Sequence, residues 1–392
     1  MASPHCSPYA DYLNLNSLLS EEQKMVQKTA RDFVVKELEP VIAECYLNDE
    51  CPAHLYPKFG ELGLLGVNLT GYDLPGMDNI CYGLVMKELE RCDSGLRSFA
   101  SVQTSLAMHA IHAFGSEEQK QQYLPKMGTA EIIGCFGLTE SSPGSDPAAM
   151  KTRAEDKGDH WLLNGSKMWI SNGNVAHIAV VWARTDQGIR GFIVPTDAEG
   201  FEARKMEQKL SLRTSVTSEL YFDNVKLQKS AILPKSEGLK SALMCLTEAR
   251  YGIAWGAVGA AEACFDETVN FVQDRVSFGK ELRGHQLIQR KLALMLTEIT
   301  TAQLLALRIG QLKDAGEVHH AQVSMGKMNN VRMALNVART CRDMLGAFGI
   351  TAEYKTMRHM CNLESVYTYE GTHDIHLLII GSQITGVPAY GV

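Results

Sequence analysis

One ten-residue segment, YTYEGTHDIH at positions 367–376, combines two tyrosines, two carboxylates and two histidines. These side chains are compatible with a metal site, a catalytic carboxylate or an ordinary solvated loop. The solvated loop is the most frequent of the three, because Glu side chains are mostly exposed in folded proteins. Glu370 becomes a candidate general base only if the fold buries it, since burial beside apolar groups raises the pKa of a carboxyl group.

Other familiar catalytic and ligand-binding motifs are missing from the chain. His373 and His376 form an HxxH pair, but a zinc site needs further ligands and the HExxH helix is absent, so we predict no metal site. Ser145, within SPGSDP, lacks the GxSxG setting of an exposed nucleophile and is expected to form a turn or a hydrogen bond. Neither a GxGxxG turn nor a GxxxxGKS/T loop is found, so any nucleotide cofactor is held by another fold.

Composition excludes several classes of protein. The chain has 392 residues, 45% apolar and 21% charged, and its net charge of −7 includes no basic cluster that would neutralise a nucleic-acid backbone. No apolar run approaches the roughly 20 residues of a membrane span, and the start, MASPHCSPYADY, shows no transit peptide. The ten cysteines are scattered singly, as in a reducing compartment. We expect a protein of the bacterial cytoplasm or the mitochondrial matrix, with no nucleic-acid partner.

The composition and periodicity of the sequence change twice along the chain and predict three domains. Residues 1–133 favour helices, because the sequence SEEQK occurs twice with the Ser-to-Gln spacing of a capping box. Residues 134–242 are rich in β segments, with Asn164-Gly165 interpreted as a turn between two of them. Residues 243–392 return to a helical period, and we predict a four-helix bundle there. No long linker separates the three parts, so they are expected to pack as one body.

The C-terminal domain has the clearest period. Apolar residues recur there at steps of four and three, which suits long helices packed at small crossing angles. They are Ile288, Leu292, Met295, Ile299, Ala302, Ala306 and Ile309. The segment ARYGIAWGAVGAAEAC is dense in Gly and Ala, so its helix is expected to lie close against another backbone or a flat ligand. Gly316 marks a turn before a further helix that reaches about Gly346.

Several segments, taken together and in this order, resemble the acyl-CoA dehydrogenases. They are CFGLTESSPGSDP at 135–147, KMWISN at 167–172, DRVSFGKEL at 274–282, DMLGAFGI at 343–350 and YEGTHDIH at 369–376. Within that family, ELERCDSGLRSFASVQ, EARYGIAWG and TYEGTHDIH resemble the glutaryl-CoA dehydrogenases. The resemblance implies a mainly α fold with an N-terminal helical domain, a β-barrel-like middle domain and a C-terminal four-helix bundle, assembled as a homotetramer.

The resemblance also implies an FAD cofactor, bound across subunit contacts. Positions that match the family's flavin-ring contacts are Phe136, Leu138, Thr139, Trp169 and Ser171. Positions that match its adenine and pyrophosphate contacts are Arg275, Phe278, Gln286, Asp343 and Gly346, with Thr372 completing the set. The guanidinium of Arg275 suits phosphate charge.

The chemistry of the family implies a role for Glu370. Such a reaction removes an α-proton next to a thioester while the β-hydrogen leaves as hydride to the flavin, so it needs a desolvated carboxylate as base. Glu370 follows Tyr369, and Gly371 would let the thioester approach the backbone closely. Some relatives carry the base at the position of Ala249, which cannot act, and Glu248 beside it is expected to be structural. Positions that match contacts to the CoA thioester or its pantetheine arm are Ser145 and Arg250.

Substrate choice depends on the segment ERCDSGLRS. Arg97 with Ser98 is interpreted as a clamp for a distal substrate carboxylate, because a buried Arg needs an anion. The alternative is a structural ion pair of Arg97 with Glu90 or Asp93. Glutaryl-CoA is a substrate with such a carboxylate, and it can lose this group as carbon dioxide after oxidation. Glu90 and Tyr369 match residues that the decarboxylating relatives carry.

Four departures from the family pattern lie close to these positions. Leu96 replaces a common Tyr and could reshape the acyl pocket for another dicarboxylyl-CoA, whereas Ser171 replaces Thr but keeps the hydroxyl. Ala347-Phe348 replaces Gly-Asn, and Phe348 could crowd the adenine side of FAD or change a subunit contact. The sequence SSP at 141–143 replaces a Pro-Asn-x run.

Taken together, the sequence predicts an FAD-dependent glutaryl-CoA dehydrogenase that decarboxylates its product and passes electrons to an electron-transfer flavoprotein. The main alternative is a dehydrogenase of another short-chain or dicarboxylyl-CoA that does not decarboxylate. A catalytically silent flavoprotein used as a binding partner and an oxygen-using oxidase are two further alternatives.

Overall fold

The computed structural model describes residues 11–390, so most of the N-terminal sequence used in the transit-peptide expectation lies outside the described residues. Within this range, seven α-helices precede the first strand. They are α1 Glu21–Phe33, α2 Glu39–Asn48, α3 Tyr56–Glu61, α4 Asn79–Cys92, α5 Ser94–Ser101, α6 His109–Phe114 and α7 Glu117–Gly128.

Both predicted capping boxes are confirmed. The Ser20 side chain accepts a hydrogen bond from the backbone N–H of Gln23, whose side chain accepts one from the N–H of Ser20, and Ser116 with Gln119 repeats this arrangement. These bonds satisfy backbone donors that have no partner inside the first turn of a helix. A π-helical segment, Val102–Met108, joins α5 to α6 and makes this region one nearly continuous buried helix.

The middle of the chain folds into a curled seven-stranded sheet. Its strands are β1 Gly134–Gly137, β2 Arg153–Asp156, β3 His160–Ser171, β4 Ile178–Thr185, β5 Gly188–Pro195, β6 Phe201–Lys205 and β7 Thr217–Gln228. The strand order is β1-β4-β2-β3-β7-β6, and β5 pairs with β4. β1 runs parallel to β4. The chain leaves β1 at the end of the sheet where β3 also ends.

The prediction of a turn at Asn164-Gly165 is wrong. β3 runs without a break, and its pairing with β7 shifts between Leu163 and Gly165. Gly165 has a φ of 138°, and a Cβ there would come within 2.6 Å of Thr152 Oγ1. The glycine therefore marks a β-bulge where another segment passes closely. The Asn-Gly pair does not reverse the chain here, because pairing with the neighbouring strand keeps β3 extended.

Five helices and a short hairpin complete the described chain. They are α8 Gly238–Asp274, β8 Val276–Ser277, β9 Lys280–Glu281, α9 Gln286–Asp314, α10 His320–Met344, α11 Thr356–Thr368 and α12 His373–Thr385. α8, α9, α10 and α11 form the predicted bundle. The predicted domain limit at residue 242 falls inside α8. The first turn of α8 is polar, so the helical period is not visible there in the sequence.

The predicted apolar stripe lies along α9. Its later members are buried and its first two, Ile288 and Leu292, are half-buried against the same core of α8, α10 and α11. The buried members are Met295, Ile299, Ala302, Ala306 and Ile309. Within residues 11–390, α9 is also the one helix long and apolar enough to cross a membrane, with a mean hydropathy of 1.4 over 18 residues, of which 44% are buried. A core helix of a soluble protein has the same properties.

The Gly- and Ala-rich part of α8 packs directly against α4. A Cβ at Gly259 would collide with the carbonyl oxygen of Lys87, and a Cβ at Gly256 would collide with the carboxylate of Glu90. These glycines let the two helix axes approach more closely than ordinary side chains allow. The prediction of close packing against another backbone is therefore confirmed.

We predict that Gly259→Ala lowers the free energy of unfolding by about 1–3 kcal/mol, because the added methyl forces α8 away from α4. Gly381→Ala in α12 is the matched control, since a Cβ at Gly381 meets no atom within 4 Å. The control should be neutral or stabilising by up to about 1 kcal/mol, because Ala favours helices. Denaturant unfolding measures both variants, and equal effects would contradict the packing argument.

Candidate active site

The segment that carries Glu370 is a four-residue connection between two helices. α11 ends at Thr368 and α12 begins at His373, so Glu370 lies in a turn between two helices. The side chain of Thr372 caps α12 by accepting a hydrogen bond from the N–H of Ile375 at 3.3 Å. Glu370 itself has a φ of 53°, in the left-handed region that non-glycine residues rarely adopt.

Two buried cations bind the carbonyl oxygens of this connection, which we call the base loop (residues 369–372). Arg250 on α8 donates from Nε to the carbonyl oxygen of Glu370 at 2.8 Å. Lys327 on α10 donates from Nζ to the carbonyl oxygens of Tyr369 at 2.9 Å and Gly371 at 2.8 Å. A left-handed residue costs roughly 1–2 kcal/mol, and charge-assisted hydrogen bonds of this kind offset that cost.

The carboxylate of Glu370 lies in a poorly hydrated environment. Its Oε2 is buried and has no hydrogen-bond partner within residues 11–390. Burial raises the pKa of Glu370 above its ordinary value, while the positive charges of Arg250, Lys327 and Arg97 oppose this rise. Glu370 is therefore no solvated loop residue, and its environment meets the requirement for a general base.

Glycine is required at position 371 for two reasons. Gly371 has a φ of 91°, and a Cβ there would lie 3.1 Å from His376 Nε2 and 3.3 Å from a terminal nitrogen of Arg250.

His376 is fully buried, and burial lowers its pKa to about 2, so the ring is neutral. His373 stacks instead on Tyr367, with ring centroids 4.6 Å apart. Among residues 11–390 no group of three potential ligands could hold a metal ion.

Arg97 lies beside the base loop in a buried ion pair. Its Nε donates to Glu90 Oε2 at 2.7 Å, and a terminal nitrogen donates to the hydroxyl of Tyr369. The neighbouring carboxylate considered in the sequence, Asp93, pairs with Arg358 at 3.0 Å instead. Ser98 and Leu96 are buried on the same helix, α5. The structure thus brings Arg97, Glu90 and Tyr369 together next to Glu370.

The first group of predicted flavin contacts lies at the ends of β1 and β3. Phe136 and Leu138 are buried in one apolar cluster with Ala249, next to Arg250 on α8. The N–H of Met168 donates to the carbonyl oxygen of Thr139 at 2.9 Å, which brings the following residue of β3 beside Thr139. That residue is Trp169, whose side chain is 57% exposed at a left-handed position, with Ser171 two residues further on.

The second group lies at the opposite end of α8. Twenty-five residues of helix separate Arg250 from Arg275, which corresponds to about 37 Å. Phe278 at the tip of the β8–β9 hairpin is 97% exposed, and Gln286, Asp343 and Gly346 are exposed nearby on α9 and at the end of α10. Asp343 pairs with Lys291 at 2.6 Å. One chain therefore holds the two groups too far apart to contact a single dinucleotide together.

Three further expectations can be compared with the geometry. Ser145 lies in an exposed bend before β2. Glu248 pairs with Lys313 at 2.6 Å, in agreement with a structural role. Phe348, the departure on the adenine side, packs against Arg275, whose guanidinium carbon lies 5.6 Å from the ring centroid. The presence of Phe348 thus changes the surroundings of Arg275, which is predicted to contact the pyrophosphate.

Sequence reasoning missed Lys327. It lies in SMGKMNN, and the helical period places it on the buried face of α10 with Val323, Asn330 and Ala334. A single charged side chain on an otherwise uncharged face is the signal that could have identified it, because Lys is almost never fully buried unless it is paired.

Comparisons with known proteins agree with this arrangement. Three family models match the chain in order: the acyl-CoA dehydrogenase N-terminal domain at residues 20–131, the middle domain at 135–225 and the C-terminal domain at 236–385. The human mitochondrial short-chain specific acyl-CoA dehydrogenase is 36% identical over 378 residues, which cover 93% of this chain and 90% of that protein.

Two solved structures are more similar still. The crystal structure of glutaryl-CoA dehydrogenase from Mycobacterium smegmatis is 54% identical, covers 97% of this chain and 99% of its own, and superposes with a TM-score of 0.96. A glutaryl-CoA dehydrogenase from the same organism in complex with FADH2 is 49% identical, covers 98% and 100%, and has a TM-score of 0.97. The chain belongs to the acyl-CoA dehydrogenase family and is an oxidoreductase.

We predict that the Glu370 carboxyl group titrates above the ordinary pKa of Glu, about 4.3, because burial outweighs the three nearby cations. Infrared absorption of the protonated carboxyl group, recorded across pH, measures this pKa. Subtracting the spectrum of Glu370→Gln identifies the band, and Glu248→Gln, which removes a carboxylate paired with Lys313, controls for the loss of any one Glu. A Glu370 band that titrates at or below the ordinary pKa would contradict the prediction.

Proposed function

We propose that the chain oxidises glutaryl-CoA and decarboxylates the product to crotonyl-CoA and carbon dioxide, with Glu370 as the base. The observation that carries this proposal is the contact between the base loop and a buried arginine: Tyr369, next to Glu370, accepts a hydrogen bond from Arg97. An acyl chain whose α-carbon lies near Glu370 would thus have its far end near a guanidinium. The sequence identity of 49–54% to glutaryl-CoA dehydrogenases supports glutaryl-CoA as the substrate.

The cofactor is FAD, and the residues present fit a flavin. Trp169 offers a flat, largely exposed ring beside Thr139, and Phe136 and Leu138 connect this surface to α8 close to Arg250. Trp169, Thr139, Phe136, Leu138 and Ser171 would hold the ring system, while Arg275 would meet the pyrophosphate. When bound, the flavin supplies the acceptor for the β-hydrogen, which leaves the substrate as hydride.

Glu370 removes the α-proton from the thioester. Its carboxylate is desolvated enough to be a stronger base than a surface Glu, and Arg250, Lys327 and Arg97 keep the ionised form accessible. The N–H of Glu370 would stabilise the developing charge on the thioester oxygen. Fixing the base loop at its carbonyl oxygens positions this N–H and the carboxylate at the same time.

Arg97 has one terminal nitrogen left for a substrate. Its Nε bonds to Glu90 and one terminal nitrogen bonds to Tyr369, but the other terminal nitrogen donates to no group in the part of the chain that the structure describes. A distal carboxylate would accept this bond, with the hydroxyl of Ser98 on the same helix as a further candidate donor. Charge-assisted bonds of this type are the strong ones in buried sites.

Decarboxylation would follow from the position of that carboxylate. Once the double bond has formed, the bond to the carboxylate carbon can break, because its electron pair passes through the double bond to the thioester. Carbon dioxide leaves, and the proton held by Glu370 returns to the γ-carbon to give crotonyl-CoA. Glu90, buried against Arg97, disfavours a tightly held second anion and so favours loss of the substrate's charge.

A second candidate substrate has an observation in its favour. Glu90 already neutralises Arg97, and an ion pair that is complete without a ligand is compatible with an uncharged short acyl chain. The alternative is therefore a short-chain or other dicarboxylyl-CoA dehydrogenase that does not decarboxylate. The similarity to a short-chain specific acyl-CoA dehydrogenase supports this second candidate.

The distance between the two groups of FAD contacts supports a homo-oligomer, and we propose a homotetramer. About 37 Å of helix lies between Arg250 and Arg275, so each cofactor would take its ring contacts from one subunit and its Arg275 group from another. Electrons would then pass to an electron-transfer flavoprotein.

Anaerobic titration with glutaryl-CoA tests the proposed function. We expect the flavin absorbance to bleach and carbon dioxide to be released in proportion. Glu370→Gln, which removes the base and keeps the shape of the side chain, should retain FAD and bind the substrate without bleaching. Bleaching without carbon dioxide would favour the second candidate, and no bleaching of a fully flavinated sample would contradict both.

We predict that Arg97→Ala lowers kcat/KM for glutaryl-CoA about 10- to 200-fold more than for butyryl-CoA, because only glutaryl-CoA loses a charge-assisted hydrogen bond. The single variant leaves Glu90 buried without its partner, which costs about 3–5 kcal/mol of stability. Arg97→Met combined with Glu90→Gln removes both charges and controls for this loss. An equal decrease for both substrates would contradict the clamp.

A further inference from the structure

Lys327 is buried at the centre of the C-terminal bundle. Its side chain is 1% exposed on the face of α10 that packs against α8 and the base loop. Burying a lysine without compensation is costly, because the ammonium group loses its hydration. Within residues 11–390 its Nζ makes hydrogen bonds only to the carbonyl oxygens of Tyr369 and Gly371.

These two bonds lie on either side of Glu370. Because Arg250 binds the carbonyl oxygen of Glu370 itself, all three successive carbonyl oxygens of residues 369–371 are held by cations from two different helices. The left-handed φ of Glu370 turns its carbonyl and its side chain away from the directions of a regular helix. Lys327 and Arg250 together are thus the contacts that maintain the orientation of the base.

A neutral side chain could fasten backbone carbonyls without the cost of a buried charge. Asn330, on the same face of α10, does so: its side-chain amide donates to the carbonyl oxygens of Ala254 at 2.9 Å and Ala302 at 3.1 Å. Hydrogen bonding alone therefore does not require a charge at position 327. Lys327 binds the carbonyl oxygens on both sides of Glu370, and the charge of the Glu370 carboxylate acts on Lys327.

The ionisable groups around this pair lie on α4, α5, α8 and α12. Arg250 lies on α8, Arg97 on α5 with Glu90 on α4, and His373 and His376 on α12. Burial and the charges of Arg250 and Arg97 lower the pKa of Lys327 to about 7, whereas the charge of Glu370 raises it. The ammonium and the carboxylate therefore stabilise each other's charged forms.

We propose that Lys327 is a positioning residue for the base: it fixes the main chain on both sides of Glu370 and supplies a positive charge that favours the ionised carboxylate. This inference rests on the proposed role of Glu370 in catalysis. The contribution of the charge can be separated from that of hydrogen bonding, because a substitution at position 327 can remove the charge and keep an N–H donor.

Two variants and a matched control test the inference. Lys327→Met removes both the donor and the charge, and Lys327→Gln removes the charge but keeps an N–H donor. Lys209→Met is the control, because Lys209 also donates to two backbone carbonyl oxygens, those of Leu212 and Ser215, both at 2.8 Å, and burial lowers its pKa to about 8. Circular dichroism and FAD content establish that each variant folds.

In both Lys327 variants we expect the infrared band of the Glu370 carboxyl group to titrate at a higher pH than in the wild type. The acidic limb of the pH profile of kcat/KM should move in the same direction, since loss of the positive charge raises the pKa of the base. Lys327→Met should also lower kcat about 100-fold, as expected for a displaced catalytic group. Lys327→Gln should lower kcat less, and Lys209→Met should shift neither titration.

The infrared measurement needs no substrate, so it separates this inference from the proposed function. If the wild type oxidises no acyl-CoA, the proposed function fails, while the Glu370 titration still decides the effect of Lys327. If a folded Lys327→Gln or Lys327→Met variant titrates as the wild type does, the charge does not act on Glu370 and the inference is overturned. If Lys327→Met does not fold, Lys327→Gln decides the same point.

Discussion

The site depends on one constraint: a left-handed residue carries a carboxylate with one buried oxygen that has no hydrogen-bond partner within residues 11–390. Neither feature is stable in an isolated turn, because Glu favours exposure and non-glycine residues avoid positive φ. The constraint is met by Arg250 and Lys327, which bind the carbonyl oxygens on and around Glu370. Because these cations lie on α8 and α10, the geometry of the base requires the packing of the bundle. Asn330 reinforces that packing by joining α10 to α8 and α9.

α8 is the element through which the other parts of the site are related. Its glycines let α4 approach, so that the carboxylate of Glu90 fits against Gly256 and can neutralise Arg97. Its Arg250 reaches the base loop, and its C-terminal end carries Arg275 about 37 Å away. A substitution that separated α8 from α4 would therefore disturb the Arg97–Glu90 pair and the base loop together. The length of the same helix is the physical reason for proposing that FAD is shared between subunits.

The charges around Glu370 are balanced between opposing effects. Burial disfavours the carboxylate, and Arg250, Lys327 and Arg97 favour it. Glu90 reduces the influence of Arg97, because the two form a buried ion pair. Glu370 therefore remains ionisable while it is less hydrated than a surface Glu, which is the condition that a general base has to meet.

The sequence by itself was sufficient for the succession of helical, β-rich and helical regions, both capping boxes, the apolar stripe of α9 and the family, because these depend on local periodicity and on contiguous motifs. It also pointed to Glu370, Arg97, Glu90 and Tyr369 as residues of one site. Only the tertiary structure decided that Asn164-Gly165 lies in a bulge, that Arg97 pairs with Glu90 and not Asp93, and that Lys327 holds the base loop. Each of these depends on contacts between residues far apart in the chain, and a local pattern carries no information about which distant partner satisfies a buried charge.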